Sequence, residues 1–420
     1  MSIIPSIRSL FIITTGPLLL FVVAGWSQST PSTEVAGIEL TELRTMGYRI
    51  DWINQSTTTG LKLPTITDQS LYTIDSEDNL TRYDLTSGKW LWSTPVGNKV
   101  FQLRSINESL YGIWVYVVSD GAVYIVEAAS GNYPSVETAN SKVVDGVLER
   151  RKSHSSRHLN LEWVANTQAI TDRGMLIYGS NTGDAVWFNP DIGSIENRYR
   201  IGSSVHVSPV MVEGVRDVEG SLRKAVITPA ADGSVIAVDA KQMKQIWMLK
   251  LLDAVETPIA CATSNNLLQG ESIPRTSVFI AGSDQYLRSV DLHSGKPRWK
   301  VLTTAPLSDT PVIHGDSLYQ RVPHRGLACY EAFPENISGE LKWVADDVFG
   351  SVITTNATGR LVCWDKANRI LQVVDTRLGG VVSTLQIPTA RSLIADNDVK
   401  GSLYIITEDD MLLRLVSRHW

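Results

Sequence analysis

Short apolar runs separated by polar turns recur along almost the whole chain. The runs at residues 71–74, 115–118 and 278–281 are rich in β-branched and aromatic side chains, and turns such as Ala231-Asp232-Gly233 separate successive runs. This pattern predicts β-strands and indicates no convincing helix beyond the N-terminus. About four strands fall in each unit of roughly 30 to 60 residues, which predicts an all-β propeller of four-stranded antiparallel blades.

A motif of fixed spacing recurs in these units: an acidic residue, a glycine four residues later and a tryptophan eight residues later. Its complete and partial copies are Asp84, Gly88 and Trp92; Asp239 and Trp247; Asp291, Gly295 and Trp299; and Gly339 and Trp343. The carboxylate can accept hydrogen bonds from turn amides, and glycine readily adopts the positive φ of a tight turn. We interpret the repeated tryptophan as a packing residue between units, so the motif is structural.

The turn residues of this motif count the units. Seven units are marked by Gly88, Gly131, Gly193, Met243, Gly295, Gly339 and Arg369. An eighth begins near Gly380, but the sequence reaches Trp420 before a fourth strand. Residues 48–52, which include Trp52, could supply it. We predict an eight-bladed β-propeller closed by N- and C-terminal strands that share one blade, which removes open sheet edges. Seven blades are the alternative, because the copy at Arg369 is degenerate.

The first 29 residues have the order of a secretory signal. A single charge, Arg8, precedes apolar runs at residues 10–13 and 18–23, and mostly small residues follow at 24–29. This order is typical of a signal peptide, and an uncleaved N-terminal anchor is the alternative. We expect an exported protein of the bacterial periplasm or cell envelope that meets a membrane only through this segment. Residues 30–44 are predicted to be a linker and residues 45–420 the propeller.

Composition and charge exclude some classes of protein. The 420 residues are 43% hydrophobic and 20% charged, which is typical of a folded chain rather than a disordered one. Lys and Arg number 38 against 44 Asp and Glu, a net charge of −6, so a nucleic-acid partner is not expected. The cysteines are expected to be free thiols. Cys329 and Cys363 occupy the same place in successive repeats, which should separate them beyond the reach of a disulfide.

Turns between second and third strands carry aspartates at comparable points. These are Asp78, Asp120, Asp184, Asp232, Asp284 and Asp409, and residues 356–359 form the corresponding turn of the seventh unit. In a propeller, such turns surround one end of the central channel. One hypothesis is an acidic funnel that attracts cations or basic partners. The alternative is that aspartate is simply a good turn former.

Metal and catalytic motifs are weak. His154 and His158 have the spacing of metal ligands, but they stand in a basic stretch without a third ligand, so no metal site is expected. No Ser-His-Asp, P-loop or dinucleotide-binding pattern stands in a credible context, and we assign no catalytic residue.

Long insertions indicate a candidate interaction surface. Those at residues 213–224, 263–276, 332–338 and 395–401 join first to second or third to fourth strands, which places them on one face of a propeller. The insertion at residues 140–161 is the exception, because it is predicted to follow a completed third-to-fourth hairpin. Loops on a rigid scaffold often carry recognition residues, so this face is predicted to bind a partner protein, with strand addition to a blade edge as one route.

Residues 84–92 and 291–299 resemble the repeat of pyrroloquinoline-quinone (PQQ)-like propellers, and the resemblance extends loosely over residues 48–416. This family has two branches, the quinoprotein dehydrogenases and the non-enzymatic assembly lipoprotein of the outer-membrane β-barrel machinery. In both branches the resemblance implies that the indoles dock between blades, here those of Trp52, Trp92, Trp247, Trp299 and Trp343. Fold alone does not choose between the branches.

Length favours the assembly branch, because the dehydrogenases are typically longer. The chain has no adjacent cysteine pair and no recognisable set of Ca²⁺ ligands, both of which the resemblance associates with dehydrogenases. It also has no cysteine after its apolar N-terminus for lipid attachment, which departs from the assembly lipoprotein.

The resemblance therefore implies a non-enzymatic exported scaffold, monomeric and without a cofactor, that binds a protein of the cell envelope such as the outer-membrane barrel assembly complex. The alternative is a PQQ-dependent quinoprotein oxidoreductase or PQQ-binding protein, with PQQ and Ca²⁺ as cofactors. A carbohydrate-binding or sensory propeller of the cell surface is a third class.

Overall fold

The described part of the chain begins with a short N-terminal segment that leads into a long strand. The computed structural model describes residues 34–97, 99–134, 143–144, 147–148, 158–216, 222–264, 275–334, 338–396 and 401–418. The segment contains β1 (Glu34–Val35), β2 (Ile38–Glu39) and helix α1 (Leu40–Thr45), and β3 (Tyr48–Gln55) follows. The stretch expected to be a linker thus contributes a paired hairpin and most of a helix.

The remaining strands follow blade by blade. Blade 1 contains β4 (Lys62–Ile66), β5 (Ser70–Ile74), β6 (Asn79–Asp84) and β7 (Trp90–Pro95). Blade 2 contains β8 (Leu103–Glu108), β9 (Trp114–Ser119), β10 (Ala122–Glu127) and β13 (His158–Asn160). A separate two-stranded hairpin of β11 (Val143–Val144) and β12 (Val147–Leu148) lies between β10 and β13 in the chain. Blade 3 contains β14 (Ile170–Asp172), β15 (Met175–Gly179), β16 (Asp184–Asn189) and β17 (Ser194–Arg200). Blade 4 contains β18 (Val210–Arg216), β19 (Leu222–Pro229), β20 (Ser234–Asp239) and β21 (Gln245–Lys250).

The second half of the chain repeats this order. Blade 5 contains β22 (Ala260–Thr263), β23 (Thr276–Ala281), β24 (Tyr286–Asp291) and β25 (Pro297–Leu302). Blade 6 contains β26 (Val312–His314), β27 (Ser317–Val322), β28 (Gly326–Glu331) and β29 (Leu341–Ala345). Blade 7 contains β30 (Ser351–Thr355), β31 (Leu361–Asp365), β32 (Ile370–Val374) and β33 (Val381–Gln386). Blade 8 contains β34 (Ala390–Ala395), β35 (Leu403–Thr407), β36 (Met411–Ser417) and β3.

Each blade is an antiparallel sheet, and we name its strands A to D in sheet order, beginning with the strand nearest the central cavity. In blade 8 the order is β34-β35-β36-β3, so the N-terminal β3 is strand D of the blade that holds the C-terminal strands. Tyr48 pairs with Ser417 and Gln55 pairs with Met411 along this closure. The prediction of an eight-bladed propeller closed by shared terminal strands is confirmed.

The core lies between neighbouring blades, at interfaces that we call seams. Strands B and C are packed on both faces, so β5 and β9 are buried along their whole length. Strand D forms the outer edge and alternates between exposed and more deeply buried residues, as in β17. This difference explains the sequence pattern, because a strand covered on both faces needs a continuous apolar run whereas an edge strand needs only alternation.

The turns of blade 7 were predicted at the wrong positions. Arg369 lies between β31 and β32, which are strands B and C, whereas the C–D turn contains Gly379. Residues 356–359 accordingly lie between strands A and B rather than between B and C. The error has a local cause, since the Asp365 carboxylate accepts hydrogen bonds from Ala367 N (3.0 Å) and Asn368 N (3.2 Å) and so caps a B–C turn with the chemistry of a C–D turn.

The insertion at residues 140–161 was also misplaced. Strand D of blade 2 is β13, which begins at His158, so the insertion lies inside the C–D connection and not after it. Sequence reasoning missed β13 because the strand has three residues and contains no tryptophan. The connection therefore leaves the same face of the propeller as the other long insertions.

All three cysteines are free. The prediction that Cys329 and Cys363 occupy the same place in successive repeats was wrong, because Cys329 lies on strand C of blade 6 and Cys363 on strand B of blade 7. Both thiols belong to one apolar cluster at the seam of these blades. Burial raises the pKa of Cys329 to about 11 and the pKa of Cys363 to about 12.

Candidate functional site

The acidic residue of the repeat closes the C–D turn. The Asp84 carboxylate accepts hydrogen bonds from Ser87 N (2.7 Å) and Ser87 Oγ (2.6 Å), and these bonds hold the pKa of Asp84 below its usual range. Asp291 makes the same pair of bonds to Ser294, and Asp239 accepts from the backbone N–H groups of Lys241 and Gln242. The carboxylate thus satisfies turn amides that would otherwise lack a partner.

The tryptophan of each repeat lies on strand D and bonds to the following blade. In five seams the indole Nε1 donates to the carbonyl of the residue just after the acidic residue of that blade. The five bonds are Trp52 to Leu85 (3.2 Å), Trp92 to Ala128 (2.8 Å), Trp247 to Leu292 (2.7 Å), Trp299 to Ala332 (3.1 Å) and Trp343 to Thr376 (3.2 Å). One repeated hydrogen bond therefore joins blade to blade around much of the ring.

A glycine lies beneath each of these indoles. A Cβ added to the glycine would come within 3.0 Å of the ring in every case, so the indole fits only because the side chain is absent. The pairs are Gly88 with Trp52, Gly131 with Trp92, Gly295 with Trp247, Gly339 with Trp299, and Gly379 with Trp343. Sequence reasoning missed Gly379, although Asp375 stands four residues before it in the usual spacing, because Ser383 takes the place of the next tryptophan.

Among the described residues, three seams have no such indole bond. Leu159 packs over Gly193 between blades 2 and 3. Between blades 3 and 4, Met243 replaces the turn glycine, and the fully buried Trp187 of strand C fills the seam. Between blades 7 and 8, strand D carries Ser383. The repeat is therefore interrupted where the sequence copies are weakest.

The predicted ring of aspartates lies at the B–C turns, and five of its six members face a basic side chain of their own blade. The pairs are Lys62 with Asp78 (2.8 Å), Arg104 with Asp120, Arg198 with Asp184 (4.0 Å), Lys250 with Asp232, and Arg288 with Asp284. Asp409 is exposed at the turn of blade 8. Much of the ring's negative charge is thereby compensated, and the acidic funnel stays a prediction.

The two other B–C turns are basic. Residues 323–325 of blade 6 include His324 and Arg325, and residues 366–369 of blade 7 include Lys366 and Arg369. The Arg369 guanidinium pairs with Glu408 of blade 8. The B–C face therefore carries both signs of charge, with the acidic turns in blades 1 to 5 and 8.

The two longest connections between blade strands, in blades 2 and 5, leave the opposite face. Chain direction places A–B and C–D connections together, and the longest of these belong to blades 2, 5, 6 and 8, since most of the insertion predicted at residues 213–224 lies within strands β18 and β19. We call this side of the ring the insertion face. In its described part it exposes several apolar side chains at turns, namely Leu110, Tyr111, Ile113, Ile192, Leu222 and Leu378.

Among the described residues, cavities of about 850 and 380 Å³ lie beside the A strands and the connections that precede them. The larger is lined by the A strands and adjoining residues of blades 8, 1, 2 and 3, and both share Leu63, Arg104 and Gln168. Leu63 has a positive φ of 50° at a bulge in β4. In the ranges given above, no group of three or more His, Cys, Asp and Glu side chains is arranged to hold a metal ion.

The remaining sequence features are only partly within the described residues. His154 lies outside them, whereas His158 begins β13 and its ring lies 5.8 Å from that of Tyr124. Within the part of the chain that the structure describes, no helical segment has the length and hydrophobicity to span a lipid bilayer.

Comparison with known proteins identifies the family. The family model for the outer membrane protein assembly factor BamB matches residues 150–409, more than half of the chain. The crystal structure of BamB from Moraxella catarrhalis is similar with a TM-score of 0.61 and 12% identity, over 89% of this chain and 98% of that one. The computationally designed Ika8 protein gives a TM-score of 0.57 and 11% identity, over 86% of this chain and 96% of that one.

At these identities the two structures show a shared fold and nothing more. No curated protein matches the chain. The family match and the closed ring of PQQ-like blades agree with the resemblance found in the sequence. The chain belongs to the family of the outer membrane protein assembly factor BamB.

Proposed function

We propose that this protein is a non-enzymatic scaffold of the bacterial cell envelope that binds a partner protein through the insertion face. Family membership supports a scaffold of the BamB type. Export through residues 1–29, cleaved or kept as an anchor, and action beside the outer-membrane barrel assembly complex are parts of the same proposal. The quinoprotein alternative has no comparable support.

The observation that carries the proposal is the placement of the long connections. The two longest, in blades 2 and 5, leave one face of the ring, and each is longer than every B–C and D–A connection of the opposite face. Recognition residues are commonly carried on loops held by a rigid scaffold. A partner that approaches along the channel axis would contact several blades at once on this face.

The A–B turn of blade 2 gives this face a preorganised apolar projection. Ser109 Oγ accepts hydrogen bonds from Ile113 N (3.1 Å) and Trp114 N (3.0 Å), and Gly112 N donates to Ser109 O (2.8 Å). This turn presents Leu110 and Tyr111 to solvent, with side chains that are 65% and 82% exposed. Large apolar or aromatic side chains on a rigid support are typical anchors of protein interfaces.

Capture from native envelope membranes tests the proposal. Full-length protein should recover outer-membrane barrel assembly components, and the L110S/Y111S variant should recover clearly less. Leu252→Ser is the matched control, because Leu252 is 84% exposed but lies on the D–A connection between blades 4 and 5, on the other face. Equal recovery by the insertion-face variant and the wild type would assign binding to another surface.

A separate assay addresses enzymatic activity. The purified full-length protein, incubated with PQQ and Ca²⁺, should not reduce a dye with alcohols or sugars as donors. Cofactor-dependent turnover would contradict the non-enzymatic part of the proposal, whichever surface binds the partner.

A further inference from the structure

The seam between blades 7 and 8 is built differently from the five indole seams. Ser383 pairs with Val373 on strand C, just as Trp343 pairs with Cys329 in blade 6, so Ser383 holds the register position of the indole. Serine cannot reach the next blade as an indole does, and no tryptophan bond spans this seam among the described residues. Blade 8 is also the blade that the two chain ends must close.

Apolar side chains from the N-terminal segment pack into this seam. We name residues 34–47 the strap. Ile38, Leu43 and Met46 of the strap are each 3% exposed or less, and they belong to one apolar cluster with side chains of both blades. That cluster includes Leu385 of strand D in blade 7 and Leu413 of strand C in blade 8. The strap thus packs between the two blades where the repeat supplies no indole.

Hydrogen bonds fix the strap along its length. Near its start, Thr389 Oγ1, in the connection between the two blades, donates to Ala36 O (2.6 Å). At its end, Arg418 N donates to Gly47 O (2.8 Å), and the Tyr48 hydroxyl just beyond donates to Gly401 O (3.0 Å). A Cβ on Gly37 would lie 2.6 Å from Thr389 Cγ2, so the strap also fits closely against the blade connection.

We propose that the strap is a latch that replaces the missing indole and holds the seam between blades 7 and 8 closed. When the strap dissociates from blades 7 and 8, this seam should loosen while the indole seams stay intact. Because the strap directly follows residues 1–33, attachment or partner binding at the N-terminus would act on the closure of the ring. The inference concerns how the ring is held and does not depend on the proposed partner.

Hydrogen exchange measured by mass spectrometry on the full chain tests the latch. Leu43→Ala should speed exchange by about tenfold or more in β33 and β34, which flank the seam, while blades 4 to 6 keep their protection. Leu307→Ala is the matched control, because Leu307 is equally buried, at 1% exposure, in the cluster between blades 5 and 6. This control should leave β33 and β34 unchanged.

Two results would overturn the proposal. Faster exchange confined to residues 34–47 would show that the seam holds without the strap. An equal increase in all eight blades would show a general loss of stability and no selective latch. If the alanine variant does not fold, Leu43→Val provides a milder change, and the same pattern of exchange decides the question.

Discussion

The indole of Trp52 lies directly over Gly88, in space that a side chain on Gly88 would occupy. This contact joins the last blade of the ring to the first. A Cβ on Gly88 would stand 2.5 Å from Trp52 Cδ2 and Cε3. Trp52 Nε1 also donates to Leu85 O in the same turn. The contact therefore joins strand D of blade 8 to the C–D turn of blade 1, at the junction that closes the propeller.

This relationship predicts that Gly88→Ala is strongly destabilising. Overpacking against the indole should cost about 1–3 kcal/mol, in addition to the strain of alanine at the Gly88 φ of +68°. The free energy of unfolding from denaturant titration measures the loss. Gly112→Ala is the control, because Gly112 has a φ of +64° but open space around it. Equal losses in the two variants would mean that the indole contact contributes nothing.

Removal of one indole hydrogen bond should weaken a seam. In Trp247→Phe the Leu292 carbonyl loses a donor at 2.7 Å inside a buried site, which should lower the free energy of unfolding by about 1–3 kcal/mol. Trp90→Phe is the comparison, since Trp90 is 50% exposed and its change should stay within about 0.5 kcal/mol. A shift in the unfolding midpoint as small in Trp247→Phe as in Trp90→Phe would contradict the assigned bond.

Asp410 should make part of the stability depend on pH. Its carboxylate accepts from Gly60 N (2.9 Å) and Leu61 N (3.0 Å) and pairs with Arg391. Burial, the largest single influence, would raise the pKa of Asp410, but the Arg391 side chain and the two backbone bonds together lower it. A lowered pKa in the folded state means that the stabilisation is present above the unfolded pKa of about 4 and is lost as pH falls through the folded value.

Asp410→Asn should therefore destabilise the protein by about 1–3 kcal/mol at pH 7. The difference from the wild type should shrink in titrations below about pH 4. The neighbouring exposed Asp409→Asn should behave as the wild type at pH 7. A constant difference down to pH 2 would show that the charge of Asp410 is not the cause.

The thiols at the seam of blades 6 and 7 should be inert in the folded protein. Burial raises the pKa of Cys329 to about 11 and of Cys363 to about 12, and the thiolate is the reactive form. A thiol reagent at pH 8 should label neither residue before unfolding and both in denaturant, as peptide mapping would show. Rapid labelling of either cysteine in the native protein would indicate that this seam opens.

The propeller architecture could be predicted from the sequence because the motif that marks its blades is short and repeated. Asp84, Gly88 and Trp92 lie within nine residues, and each performs a task that its own turn or the next blade requires. The same locality explains the failures. Asp365 caps a B–C turn as Asp84 caps a C–D turn, so spacing alone could not tell the two apart.

Other features depend on contacts that no short pattern carries. Lys62 forms an ion pair with Asp78, which lies beyond the next strand. The strap contacts residues more than 350 positions away, as the hydrogen bond from Thr389 to Ala36 shows. The five indole seams could be inferred from a motif. The strap seam could not, because Ile38, Leu43 and Met46 form no repeat and become a unit only in the folded protein.

The pairing of β3 with β36 also sets the order in which the molecule can be completed. Strand β3 is synthesised before every other strand of the eight blades, yet its partner β36 is the last strand described. Until that partner emerges, β3 has no neighbour in its own sheet, and contacts so distant in sequence form slowly. A chain that stops before Met411 cannot close its ring. Ring closure therefore requires that all eight described blades have been synthesised.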